Sequence, residues 1–185
     1  VGSEMCIRDR KKVLEDVDPE TRRKKKKEMR IQRLIVTLQF LGIAAVVILI
    51  FYILMGISTV DGNSMYPTLH DKDIVIYNRR CKEYKAGDIV AIARPSGEDY
   101  VKRVIAVAGD MVNIQDGKVY VNGEEVRYDG EIGTTEKKSS KITYPLRVGD
   151  KEVFVLGDNR EVSRDSREIG TVKVSDIEGK IEWYM

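Results

Sequence analysis

The sequence predicts a mainly β fold carried on a single N-terminal transmembrane helix, and three observations predict it. No residue is charged from Leu34 through Val60. Arg22, Arg23, Lys24, Lys25, Lys26, Lys27, Arg30 and Arg33 crowd the positions just before that run. After Val60 the chain breaks into short segments rich in β-branched and aromatic residues, separated by Gly-Asp, Asp-Gly and Asn-Gly pairs that mark turns. At 185 residues it is one domain plus an appendage, long enough to bury a core. The net charge of +2 is too small to argue for a nucleic-acid partner.

The uncharged run is 27 residues long, and a bilayer core needs only about 20 in a helix. A buried helix of a soluble protein rarely runs so far without a charged residue. A cleaved signal peptide would carry an apolar stretch of ~7–15 residues and a small-residue cleavage site. The residues after Met55, Gly-Ile-Ser-Thr-Val-Asp, contain no Ala-x-Ala pattern. An uncleaved anchor over residues 34–57 is therefore expected. A polybasic run also suits nucleic acid or a solvated face, but its place directly before the span favours a topological signal. That places 1–33 in the cytoplasm and 58–185 outside the plasma membrane.

Asp18-Pro19-Glu20 has the pattern of a helix start, with Asp as N-cap, Pro at the first position and an acid in the first turn. The helix is expected to run through the basic cluster into the span. Val1 to Arg10 are set aside as extraneous to the fold. The two cysteines, Cys6 and Cys81, fall on opposite sides of the membrane and cannot pair, leaving neither a disulfide framework nor a metal site.

Strands are expected at 73–77, 88–93, 100–108, 112–115, 118–121, 142–148, 152–156, 171–174 and 177–183. The pairs Asp116-Gly117 and Asn122-Gly123 make residues 111–128 a meander. Residues 128–141 are polar and contain glycine, and complete a small excursion over 111–141. No alternation of strands with long helices suggests a doubly wound α/β fold.

Three segments bear on chemistry. Alternation in the strand around Lys102 puts Tyr100, Lys102, Val104, Ala106 and Ala108 on one face, and Val101, Arg103, Ile105 and Val107 on the other. Apolar surroundings penalise the ammonium, and an exposed lysine of pKa ~10.4 is neutral only about 4 times in 10,000 at pH 7. A strand lysine that snorkels to solvent is the more ordinary account of that pattern. Ser64 lies four residues past Val60, within about 15 Å of the membrane exit, with Gly62 and Pro67 shaping its loop. Loop serines are common, and a serine nucleophile needs a base. The chain has one histidine, His70, in a polar loop, so a lysine is the better-placed partner. The third segment, 155–167, alternates acids and arginines. Taken alone it suggests solvated surface pairs worth ~0–1 kcal/mol each.

Together these segments resemble a known family. Gly62-Asn63-Ser64-Met65-Tyr66-Pro67-Thr68-Leu69, Gly87-Asp88-Ile89-Val90, Tyr100-Val101-Lys102-Arg103-Val104, and Gly157-Asp158-Asn159-Arg160 followed by Ser163, Asp165, Ser166 and Arg167 resemble the sequence boxes of type I signal peptidases, in the same order and behind a membrane anchor. The resemblance implies an antiparallel β catalytic core and removal of signal peptides from exported preproteins. It makes Ser64 the nucleophile and Lys102 its general base, and has Ser163 orient the lysine amine. Asp165, Arg167, Asp158 and Arg103 would pair to hold the site rigid. The Ser64 N–H would meet the oxyanion. Some relatives add a serine hydroxyl two places before the nucleophile, where this chain has Gly62.

The substrate would lie as an added strand, with Val60, Met65, Tyr100 and Val101 around small pockets for Ala-like side chains. One span and a short excursion resemble the compact, Gram-positive-type members. Relatives of the endoplasmic reticulum carry histidine where Lys102 stands. Signal-peptide-bearing preproteins and the lipid bilayer are the expected partners, with no nucleic acid, metal or cofactor. Three rivals are a soluble Ser/Lys self-cleaving repressor-type protease, an anchored β-domain that binds peptides or cell-wall components, and a protease specialised for one pilin or conjugation substrate. The anchor opposes the first, and a non-enzymatic domain has no need of a serine and a buried lysine in register.

Overall fold

In the computed structural model, which describes residues 19–93 and 100–185, the first element is a 36-residue helix, α1 (Pro19–Leu54). It rises about 54 Å, buries none of its residues, and is long and apolar enough to cross a membrane. Glu20 stands in its first turn. The expected N-cap Asp18, Cys6 and the opening ten residues lie outside the described residues. The chain divides into two compact units, the second of which is Phe51–Met185.

The helix ends three residues sooner than the expected span. Met55–Thr59 forms strand β1, paired from Met55↔Asn78 to Thr59↔Ile74 with β2 (Ile74–Asn78). Gly56 and the β-branched Ile57 and Thr59 are weak helix formers, and cross-strand pairing takes them. A Cβ on Gly56 would stand 2.2 Å from the Tyr77 ring, so glycine lets that ring cross the strand.

Nine further strands follow: β3 (Ile89–Ile92), β4 (Tyr100–Val107), β5 (Met111–Gln115), β6 (Lys118–Val121), β7 (Glu124–Glu125), β8 (Leu146–Arg147), β9 (Glu152–Leu156), β10 (Val172–Lys173) and β11 (Ile177–Tyr184). A short helix, α2 (Ser166–Ile169), lies between β9 and β10. The larger sheet runs β1-β2-β11-β3-β4-β9-β10, and the smaller β7-β6-β5-β8. Every pairing between these strands is antiparallel. The fold is thus mainly antiparallel β with an N-terminal apolar helix.

Two expected strands shorten. The one at 142–148 keeps only β8, because Pro145 has no N–H to give a ladder. The one at 171–174 keeps Val172–Lys173 and then enters a 3-10 turn at Val174–Asp176. Strict alternation along β4 also fails. Its pairing with β9 slips between Val104↔Val155 and Ala106↔Phe154, a bulge at Ile105. Ile105 and Ala106 therefore both join the core around Phe154, while Tyr100 and Val104 pack with Val90, Ile92 and Val155. A third cluster gathers Val60, Met65, Leu69, Val75, Tyr77 and Val101.

The segment 157–167 is not the solvated surface its composition suggests. Asp158, Arg160, Ser163, Asp165 and Arg167 are all buried. Arg103 grips Asp158 with both arms, Nε to Oδ1 at 2.8 Å and Nη2 to Oδ2 at 2.6 Å. The carboxylate's hydrogen bonds hold the Arg103 guanidinium above its ordinary pKa, against the opposing effect of burial. Arg167 grips Asp165 likewise at 2.8 Å on each oxygen, and the Gly157 N–H adds a third bond at 3.1 Å. Burial works to raise the Asp165 carboxyl, but Arg167 and the Gly157 N–H outweigh it and hold the group below its ordinary value.

Removing one partner of such a pair strands the other charge in the interior. Asp158→Ala is expected to cost about 3–5 kcal/mol, read from guanidinium unfolding of the detergent-solubilised chain. Lys118→Ala breaks an exposed pair with Glu125 and is expected to leave the midpoint nearly unchanged. Equal midpoints for the two variants would refute the structural weight given to the buried pair.

Candidate active site

The loop between β1 and β2 is closed at its neck by Val60, whose N–H donates to Asp73 O at 2.8 Å and whose carbonyl accepts from Lys72 N at 2.8 Å. Met65 and Leu69, both wholly buried, pin it to the core, and Leu69 N donates to Met65 O at 2.9 Å. Gly62 turns the chain at φ +80, where a side chain would be strained. Its N–H is already given to Asp71 Oδ1 at 2.8 Å. These constraints present Ser64, whose carbonyl accepts from Asn159 N at 3.0 Å.

Opposite stands Lys102, on β4 and only 3% exposed. Its Nζ is hydrogen-bonded to Ser64 Oγ at 2.8 Å and donates to the Val101 carbonyl at 2.8 Å. The Tyr100 ring lies 5.0 Å from it. Strand pairing sets Lys102 against Val90, so the snorkelling alternative fails: the amine turns into the interior. A serine hydroxyl and a buried amine in hydrogen-bond contact are the parts of a nucleophile and a base. Among the described residues, the Ser64 N–H donates to no other group.

The pair opens on a cleft of about 380 Å³, lined by Val60, Asp61, Gly62, Asn63 and Ser64, by Tyr100, Val101 and Lys102, and by Val162 and Arg164. Val60, Tyr100 and Val101 thus stand where the sequence reading placed them. Met65 does not. It is buried in the core with Leu69 and Val101 because the loop needs it as an anchor. Ser163 also departs from expectation. Its Oγ has no hydrogen-bond partner among the described residues. It sits over Gly157 instead, where a Cβ would lie 2.2 Å from Ser163 Oγ and 2.5 Å from the Ser64 carbonyl.

Sequence reasoning gave no role to Thr68, whose hydroxyl donates to Asp158 Oδ2 at 2.5 Å and ties the serine loop to the arginine pair. It also passed over Val162 and Arg164. The available signal was a lone valine among alternating charges, 62% exposed in the structure. His70 is exposed, edge-on to the Tyr66 ring and 3.7 Å from Asp73. Cys81 is a half-buried free thiol, outside the cleft lining. Among the described residues, no three His, Cys, Asp or Glu side chains gather as a metal cluster.

The family described as "Signal peptidase, peptidase S26" matches residues 31–185. Signal peptidase I of Bacillus amyloliquefaciens is 38% identical over 118 residues, covering 58% of this chain and 63% of that protein. Signal peptidase I S of Bacillus subtilis (strain 168) is 38% identical over 121 residues, 58% of this chain and 64% of its own length. The chain therefore spans a little under two thirds of these two relatives. Signal peptidase I of Bacillus caldolyticus is 36% identical over 140 residues, 67% of this chain and 75% of that protein. The crystal structure of a signal peptidase I from Enterococcus faecalis V583 aligns at 31% identity over 53% of this chain and 96% of that one, with a TM-score of 0.42. The match across 31–185 and the Bacillus caldolyticus relative together show that the chain belongs to the signal peptidase, peptidase S26, family.

Proposed function

We propose that this protein is a membrane-anchored serine endopeptidase that removes signal peptides from exported preproteins with a Ser64–Lys102 dyad. The observation that carries the reading is the 2.8 Å contact between Ser64 Oγ and the buried Lys102 amine at the floor of a cleft, in a chain of this family. Neutral Lys102 takes the proton of Ser64 Oγ as the oxygen attacks the substrate carbonyl carbon. The Ser64 N–H stabilises the oxyanion. The Gly62 N–H, committed to Asp71, is not the second donor. Collapse breaks the C–N bond, and the protonated amine of Lys102 returns its proton to the leaving nitrogen. A water then attacks the Ser64 ester as Lys102 accepts its proton, and collapse breaks the bond from the acyl carbon to Ser64 Oγ while Lys102 returns that proton to Oγ, releasing the acid product.

The substrate lies extended between the segment around Val60 and the strand carrying Val101, and presents small side chains to the cleft. Asp158, Arg103, Asp165 and Arg167 act as the frame, and Ser163 packs between that frame and the serine loop. The helix anchors the enzyme in the plasma membrane with its basic end in the cytoplasm and the β-unit outside, so partners are preproteins and lipid. Burial of Lys102 favours the neutral amine that the chemistry needs, which neither a peptide-binding domain nor a structural strand would require.

Ser64→Ala is expected to abolish cleavage of a preprotein in detergent. Lys102→Arg is expected to lower the rate by about 10²–10⁴-fold, the contribution of a general base, because guanidinium keeps its proton. His70→Ala should retain activity. A fully active Lys102→Arg variant would sink the dyad.

The rate is expected to rise with pH as Lys102 loses its proton. The frame follows a different course. A carboxylate held below its ordinary value, as Asp165 is, contributes stability that is fully present above the unfolded value and lost as pH falls through the folded one. Near-UV circular dichroism should therefore stay constant while activity falls, so long as the pH stays above the ordinary carboxylate range. Parallel loss of both signals would assign the acid limb to unfolding and not to the base.

Protease added to intact spheroplasts is expected to digest the β-unit and spare the basic segment. Protection of the β-unit would reverse the orientation.

A further inference from the structure

The 128–141 excursion packs against the wall of the cleft. Ile132 donates its N–H to the Asp158 carbonyl at 2.9 Å, and Arg160 N donates to Ile132 O at 3.0 Å. The Arg160 guanidinium binds Thr135 Oγ1 and Glu131 Oε2, each at 2.6 Å. One tie reaches further along the wall. The Lys138 ammonium donates to the carbonyl of Ser163 at 2.7 Å and of Glu161 at 3.3 Å, with the Glu168 carboxylate 3.6 Å away. Its side chain is only 23% exposed.

Those two carbonyls flank Val162, which lines the cleft with Ser64 and Lys102. Val162 belongs to none of the apolar clusters, and Ser163 Oγ bonds to nothing among the described residues. The Val162 side chain, 62% exposed, therefore does little to fix its own place, which is set by the backbone on either side of it. One backbone tie is Ser163 N to Asn159 O at 3.1 Å, and Arg167 Nη2 reaches the Ser163 carbonyl at 3.4 Å. The shortest bond to either carbonyl comes from Lys138, and charge-assisted bonds are roughly twice as strong as neutral ones.

We propose that Lys138 is a positioning residue for the cleft: by holding the Glu161 and Ser163 carbonyls it fixes Val162, and through Val162 the size of side chain admitted beside Ser64. The inference rests on the cleft being the site of preprotein cleavage. Lys138 touches neither the substrate nor the reacting atoms. Its effect belongs in selectivity between substrates, which a tie that merely stabilises the fold would not change.

The test compares the full-length wild type with Lys138→Met, which keeps the stem and removes the donors, and Lys138→Arg, which restores them. The substrates are two preproteins with alanine or a bulkier residue just before the scissile bond, and the readout is the ratio of their kcat/KM values. Discrimination between side chains differing by a methylene or so is worth about 10–200-fold. Lys138→Met should bring the ratio toward unity by improving relative turnover of the bulky substrate, Lys138→Arg should recover it, and thermal midpoints should coincide. An unchanged ratio in Lys138→Met overturns the proposal, as does an equal loss on both substrates that tracks a lowered midpoint. Failure of the wild type to cleave either preprotein would instead bring down the functional reading, and the inference with it.

Discussion

The Asp158 carboxylate is the constraint through which the parts of the site hold one another. It accepts two bonds from Arg103, the neighbour of Lys102 on its strand. The same group accepts the hydroxyl of Thr68, four residues past Ser64 in its loop. Its backbone neighbours finish the connection: Asn159 N holds the Ser64 carbonyl, and Asp158 O holds the excursion through Ile132. Four segments distant in sequence thus meet at one residue. A buried carboxylate tolerates this position only because its lone pairs are filled. The same requirement that keeps the charge satisfied therefore keeps serine and lysine in register.

Close packing accomplishes the rest. Gly157 stands where any side chain would collide with both Ser163 and the Ser64 backbone, so the serine loop rests directly on the chain. Met65 and Leu69 sink into the core on the other side. Ser64 is mounted on backbone and buried anchors, an arrangement suited to the proposed reaction, which depends on a separation of a few tenths of an ångström.

Much of this was legible in the sequence, and the parts that were not share a physical cause. The apolar helix and most strands are local signals, and Ile89–Ile92, Lys118–Val121 and Glu152–Leu156 fall within or on their expected segments. α1 stops short of residue 57 because Met55 to Ile57, apolar enough to continue a span, pair instead with Ile76 to Asn78. The sheet order, in which β11 inserts between β2 and β3, leaves no local trace. Composition alone makes Asp158 to Arg167 a surface loop, since burial of an ion pair is a tertiary event. The pairing of Ser64 with Lys102 was suggested by the apolar strand around the lysine and the poorly placed His70, and was made an expectation by the family resemblance. The placing of Met65 in the core and not in the cleft lining was not legible, because a motif names residues without saying which way they face.

The two arginine–carboxylate pairs also separate the molecule's responses to proton concentration. Asp158 lifts the Arg103 guanidinium further from the range in which it could lose its proton, and Arg167 keeps Asp165 ionised. The Arg103 guanidinium and the Asp165 carboxylate therefore keep their charges between neutral and alkaline conditions. A lysine buried in a lattice of histidines or unpaired acids would titrate together with its surroundings, and its environment would shift as it ionised. In the proposed mechanism the Lys102 amine changes state beside these two ion pairs, and the frame serves as a fixed electrostatic reference around one movable proton.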